Sequence, residues 1–235
     1  MIGLKSPISG NISLGLYRPT AGDGCVLWFP GQDDAYSATI RDRSGYVNNG
    51  AIIGAVWART PGGLWCLDYD GIDDYLSIPH SALWNFGSGD FTIILWINKT
   101  VIESVNNHLI GHFNASLVGW YLTIQYPAAD KMQFRTNNNT MILEVTHSIQ
   151  AGEWASIATV KANNTLTIYV DTVNKGSAGL SSVQAVTHEL WIGTGDYSGH
   201  QFFKGSIALP RIYNRGLSAL EVQNCYNRER HLFGV

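Results

Sequence analysis

The strongest constraint on the fold is a two-residue alternation of apolar and polar side chains. In FTIILWIN, Phe91, Ile93, Leu95 and Ile97 fall on one face, with Thr92, Ile94, Trp96 and Asn98 on the other. TLTIYVD behaves likewise, with Leu166, Ile168 and Val170 opposite Thr165, Thr167, Tyr169 and Asp171. WYLTIQY, KMQFRT, ASIATVK and HELWIG are similar short runs bounded by Gly, Asn, Asp and Pro. Successive side chains of a strand point to opposite faces, so these runs read as strands with one face buried. That arrangement suits antiparallel sheets. Roughly a dozen such strands favour two packed sheets over one open sheet. No repeat of fixed period appears, which argues against propellers and solenoids.

Some connections can be typed. ATVK-ANN-TLTIYVD reads as a hairpin, because Asn163 and Asn164 tolerate the positive φ of a tight turn. QYPAADKMQF reads as another, punctuated by Pro127 and Asp130. In LWCLDYDGIDDYL, Trp65, Leu67 and Tyr69 lie opposite Cys66, Asp68 and Asp70, and DGIDD reads as the bend of a third hairpin, with Gly71 supplying conformational freedom. The one helix signal is RGLSALEVQNCYNRERH, which predicts a short C-terminal helix over 218–230. Ser218 and Glu221 form a capping box there, and Leu217 can staple to Val222. Val222, Cys225 and Tyr226 share the docking face, leaving Glu221, Asn224, Arg228 and Glu229 for water.

At 235 residues, 45% hydrophobic and 14% charged, the chain suits one large domain. A net charge of −3 with no basic cluster beyond RER gives no reason to bind nucleic acid or an anionic membrane. No apolar run approaches the ~20 residues of a helical span, so no membrane insertion is expected. Cys25, Cys66 and Cys225 are odd in number and lack a CxxC spacing, and are expected as buried free thiols. Residues 1–24 are rich in Gly, Pro and Ser and are expected as an N-terminal arm, with the compact domain over 25–235. The arm lacks the apolar core of a signal peptide, so the expected location is a virion or cell surface reached by assembly from the cytoplasm. Five sequons, at Asn11, Asn98, Asn114, Asn138 and Asn163, read as by-products of Asn/Thr-rich loops.

The blocks LWFPG, DRSGYVNNGAIIG, LDYDGIDDYLSIPHS, DFTIILWI, GEWASIATVK, NTLTIYVD and FFKGSIALPRIYNRGLSALEV run in order from about Val26 to Val222. Together they resemble the laminin-G-like jelly rolls of the concanavalin A-like lectin/glucanase superfamily. The resemblance implies an all-β, two-sheet antiparallel β-sandwich, here followed by the short C-terminal helix. It also implies carbohydrate binding, adhesion or an accessory role beside glycan-cleaving enzymes, among which fold alone does not choose. The arm and terminal helix also resemble those of phage virion proteins.

Catalysis finds little support. The glucanase motif E-x-D-x-x-E is absent, and Glu103, Glu144, Glu153, Glu189, Glu221 and Glu229 are scattered singly. TGDYSGHQF lacks the glycine of an aspartate box. His108 and His112 lie on a strand-like run, about 13 Å apart by strand rise, and are expected as polar rim residues. No cofactor is required; calcium is an option, with Asp42, Asn49, Asp70 and Asp73 as candidate ligands on irregular loops. Relatives carry IDEVRIYNR where this chain reads IALPRIYNR, so Ala208 and Leu209 replace two acids and weaken the case for a structural cation.

Glycan recognition needs rings to stack on sugars, and amides or Arg to hold hydroxyls. By parity, Trp96, Tyr121, Gln125, Gln133, Arg135 and Tyr169 are the candidate face, while Trp28, Trp65 and Trp154 are expected in the core. The chain therefore reads as a non-catalytic recognition or adhesion module whose partner is a glycan or cell-surface polysaccharide. The alternative is a structural virion or surface-decoration protein that meets other virion or surface proteins through its arm. A glycan-cleaving enzyme ranks third.

Overall fold

The computed structural model describes residues 23–31, 36–100, 107–124, 128–195 and 201–235. The expected arm lies outside these residues except for Asp23 and Gly24, and so do Gln125 and Pro127. Sixteen strands occur among the described residues. The first are β1 (Cys25–Trp28), β2 (Thr39–Ile40), β3 (Gly50–Ile53) and β4 (Val56–Arg59). Next come β5 (Trp65–Asp70), β6 (Tyr75–Ile78), β7 (Phe91–Lys99) and β8 (Asn107–Phe113). They are followed by β9 (Gly119–Ile124), β10 (Lys131–Thr136), β11 (Thr140–Thr146) and β12 (Trp154–Ala162). The last are β13 (Thr165–Val170), β14 (Val173–Gly179), β15 (Leu190–Ile192) and β16 (Lys204–Tyr213), before helix α1 (Ala219–Glu229).

Sheet A has the order β14-β13-β12-β7-β16-β5-β4, with β1 also paired to β16. Sheet B runs β11-β10-β9-β8-β15-β6-β3-β2. All the pairings are antiparallel. The inner faces meet in one apolar core. Phe91, Ile93, Leu95, Ile97, Leu166, Ile168 and Val170 enter it from sheet A, and Trp120, Leu122, Met132 and Phe134 from sheet B. The alternation thus placed the core residues correctly. Truncating one of the large side chains, such as Phe91→Ala, costs about 3–5 kcal/mol by the usual cavity rule.

The tryptophans are distributed differently from expectation. Trp84 and Trp120 occupy the main core. Trp28 and Trp154 instead belong to two smaller clusters on the other side of sheet A. Trp65 is half-buried, with the Arg59 guanidinium 3.8 Å above its ring. All three cysteines are free and buried. Burial pushes the Cys25 and Cys66 thiols up to about 12, so neither is a thiolate at neutral pH.

The β12–β13 hairpin turns through Asn163 and Asn164 at φ 51 and 60, as the turn chemistry requires. DGIDD does something else. β5 lies in sheet A and β6 in sheet B, so this segment crosses between sheets and is no hairpin bend. Gly71 supplies the positive φ, at 80. The Asp74 carboxylate accepts the Asp70 N–H at 2.8 Å, and Asp70 accepts that of Ile72 at 2.7 Å. Gly54 is needed beside it, because a Cβ there would come within 1.9 Å of Asp74 Oδ1.

A bulge in β16 sets up the outer face of sheet A. Ile207 and Ile212 both face the core, although an odd spacing would send them to opposite faces. The register shifts between Ala208 and Arg211, with Leu209 at φ 49 and Pro210 lacking an N–H. The shift restores the parity and turns Arg211 outward, beneath α1. That helix begins with the expected capping box: Ser218 accepts from Glu221 N, and the Glu221 side chain reaches back to the cap.

Candidate functional site

Of the six residues expected to share a face, the five among the described residues lie on two. Trp96 and Tyr169 belong to sheet A, and Tyr121, Gln133 and Arg135 to sheet B; Gln125 lies outside the described residues.

Trp96 points outward, as its parity dictates, but it is 0% exposed. It stacks on Phe233 and Tyr226, with centroids 4.0 and 5.4 Å away, and its indole N–H donates to Glu229 at 2.9 Å. No ligand can stack there, so Trp96 is withdrawn from the candidate face. Tyr169 packs half-buried against the cluster that holds Leu217, Val222 and Cys225, and lies on the other sheet from Tyr121, Gln133 and Arg135, so it does not join them in one face.

Glu229, expected to face water, is 0% exposed. It forms a two-pronged pair with Arg211, Nη1 to Oε1 and Nη2 to Oε2. Burial, the largest influence, would weaken Arg211's hold on its proton, but the surrounding groups, led by the Glu229 carboxylate, together outweigh it and keep the guanidinium charged.

Sheet B presents a polar cluster at one side. Arg135 Nε donates to Gln133 Oε1 at 2.7 Å, and the Gln133 amide donates to Glu144 at 2.6 Å. Arg135 Nη1 donates to Asn139 Oδ1 at 2.9 Å, and the Tyr121 hydroxyl donates to that same oxygen. These bonds, with Arg135 Nη1 also reaching the Asn139 carbonyl, fix the orientation of the Gln133 amide and of the guanidinium edge that faces it. Tyr121 is 2% exposed and Gln133 1%, so these two brace the site while Arg135, Asn139 and Glu144 reach solvent.

An aromatic stripe continues the cluster across the strands. Tyr121 stacks on His108 at 4.7 Å and tilts against Phe113 at 4.8 Å. Phe113 meets Trp191 edge-on at 6.3 Å, and Trp191 meets Tyr75 at 6.4 Å. Trp191 and Tyr75 are half-buried. Glu189 accepts from both the Trp191 indole, at 3.1 Å, and the Ser77 hydroxyl, at 2.8 Å. Sequence reasoning missed Trp191 and Tyr75. The signal was present in HELWIG, where inward Leu190 and Ile192 leave Trp191 facing out. Three strand spacings separate Trp191 on β15 from Arg135 on β10, roughly 14 Å.

His108 and His112 are both buried, where rim positions were expected. A bulge between His108 and Ile110 turns His108 toward Tyr121, while His112 lies against His80 and Trp84. Burial lowers the His112 pKa to about 4.

The candidate cation ligands also separate. Asp42 accepts from Trp28 N, Ser44 N, the Ser44 hydroxyl and Asn48 N, all at 2.8–3.0 Å. Asn49 Oδ1 is taken by Asp42 N at 2.9 Å. With about four acceptor sites on a carboxylate already used, Asp42 organises its own loop, and Asp42 and Asn49 are withdrawn as calcium ligands. Asp70 and Asp73 do come together with Asp74, their ligand oxygens within 4.8 Å of one another. Burial, then the neighbouring carboxylates Asp70 and Asp73, raise the Asp74 pKa.

A family model described as the concanavalin A-like lectin/glucanases superfamily matches residues 70–223. No curated protein matches the chain significantly. Among solved structures, the binding domain of Paraclostridial Mosquitocidal Protein 1 is similar, with TM-score 0.69, 17% identity and 87% of this chain aligned to 52% of that one. So is the binding domain of botulinum neurotoxin DC in complex with rat synaptotagmin II, with TM-score 0.66, 13% identity, and 87% and 51% coverage. The chain spans about half the length of these toxin domains. Domain 4 of AbnA, an extracellular arabinanase of Geobacillus stearothermophilus in complex with arabinotriose, aligns over 86% of this chain and 98% of its own, with TM-score 0.61 and 15% identity.

Proposed function

Since the chain belongs to the concanavalin A-like lectin/glucanase superfamily, we propose that it is a non-catalytic recognition module that binds carbohydrate on the outer face of sheet B. The observation that carries this reading is that solvent-reaching rings and polar groups lie in register across that face, over the buried rings of Phe113 and Tyr121. Trp191 and Tyr75 offer partly accessible aromatic surface at one side, and Arg135, Asn139 and Glu144 offer a guanidinium, an amide and a carboxylate at the other. Apolar sugar faces stack on rings, while hydroxyls pair with preset donors and acceptors. The separation suits a short oligosaccharide. Gln133 holds Arg135 and Glu144 through its hydrogen bonds, and the Tyr121 hydroxyl holds Asn139, so both serve as supports. An arabinanase domain of this shape in complex with arabinotriose adds support.

The test is a glycan array with the full chain, followed by calorimetric titration of the hits. Trp191→Ala and Arg135→Ala should each weaken binding about tenfold or more, with the melting midpoint little changed. Absence of binding to any glycan at millimolar concentration would sink the reading.

A further inference from the structure

We propose that the cleft between the end of β16 and α1 is a second binding site, suited to a small carboxylate-bearing ligand. The cleft measures about 110 Å³, well above the ~10–15 Å³ that one water needs. Tyr213 lines it and is 1% exposed. Its hydroxyl is buried and has no hydrogen-bond partner among the described residues. A buried hydroxyl left unpaired is destabilising, so a donor held there calls for an acceptor brought by something bound. Burial raises the phenol's pKa, which keeps the proton available for donation.

The rest of the lining narrows the chemistry. Arg215 and Arg228 supply two guanidinium groups against the single carboxylate of Glu221. Arg215 is held in place, donating to Glu221 at 2.7 Å and to the Asp23 carbonyl at 2.7 Å. Its guanidinium carbon lies 5.9 Å from the Tyr213 ring centroid. Asn224 adds an exposed amide, and Leu217 an apolar wall. Hydrogen-bond donors and positive charge prevail, so the complementary ligand presents oxygens and a negative charge; a carboxylate meets both needs. It could come from a free small acid or from an acidic side chain of a peptide.

Titration of the full chain with glucuronate, with neutral glucose and with a capped Gly-Asp-Gly peptide, read by protein-observed NMR, separates these sources. One or both acids should shift resonances of α1 and the end of β16, and glucose should not. Tyr213→Phe, which keeps the ring, and Arg228→Gln, at an exposed position, should each weaken the acid about tenfold without lowering the melting midpoint. Trp191→Ala should leave this binding unchanged, whatever it does to glycan binding on sheet B. Failure of both acids to bind, equal binding of glucose, or wild-type affinity in Tyr213→Phe would overturn the proposal.

Discussion

On the outer face of sheet A, Trp96 lies beneath Phe233, Tyr226 and the Glu229 carboxylate, closed off by the C-terminal helix and the residues that follow it. On the outer face of sheet B, Trp191 remains half-exposed beside a surface network of Arg135, Asn139 and Glu144. Both faces began as outward aromatics on alternating strands. The difference is what covers them. Sheet A spends its outward side chains on anchoring α1, through a buried ion pair and two satellite apolar clusters. Sheet B keeps polar groups at the surface, where they can exchange water for a ligand. The recognition role proposed above therefore rests on sheet B, while the outer face of sheet A anchors the helix.

The contrast can be broken first at its strongest point. Arg211→Met strands the Glu229 charge in a dry site and should cost about 3–5 kcal/mol in denaturant unfolding, whereas the double variant with Glu229→Leu should recover most of that loss. Equal losses in the single and double variants would mean that the pair does not anchor the helix.

Acid sharpens the comparison from the other side. Burial lowers both His112, on β8, and His147, just after β11, to about 4 from 6.5. Between these values the unfolded chain binds protons that the folded chain refuses, so stability is complete above about pH 6.5 and falls as pH drops toward 4, by up to ~3 kcal/mol per histidine. Hydrogen exchange should show β8–β11 losing protection before β7 and β16, and His112→Gln or His147→Gln should flatten the dependence. Uniform loss across both sheets would contradict the division. The smallest effect is at the helix start. Ser218→Ala removes a cap and should cost about 1 kcal/mol, while Met141→Lys on the exposed rim of sheet B should stay within about 0.5 kcal/mol.

How far the sequence could be read depended on the range of the interaction involved. Ser218 and Glu221 are three residues apart, and their capping box was legible. So was the inward set Phe91, Ile93, Leu95 and Ile97, because strand parity is local. Trp96 carried the same parity signal, yet its partner Glu229 is 133 residues away, and nothing local distinguishes a covered face from an open one. DGIDD was legible as a turn but not as a passage between sheets, since pairing partners β16 and β15 decide where β5 and β6 belong.

By itself, then, the sequence determined the strands, their inward faces, the terminal helix and its cap, through backbone stereochemistry and short-range hydrogen bonding. Only the tertiary structure decided that Trp96 and Tyr169 part company with Tyr121, Gln133 and Arg135, that Glu229 turns inward, and that Asp42 is consumed by its own loop. Those outcomes depend on which surface the last helix buries and which donors a loop brings back to one carboxylate. Burial and hydrogen-bond satisfaction are properties of the assembled whole, and no single strand carries them.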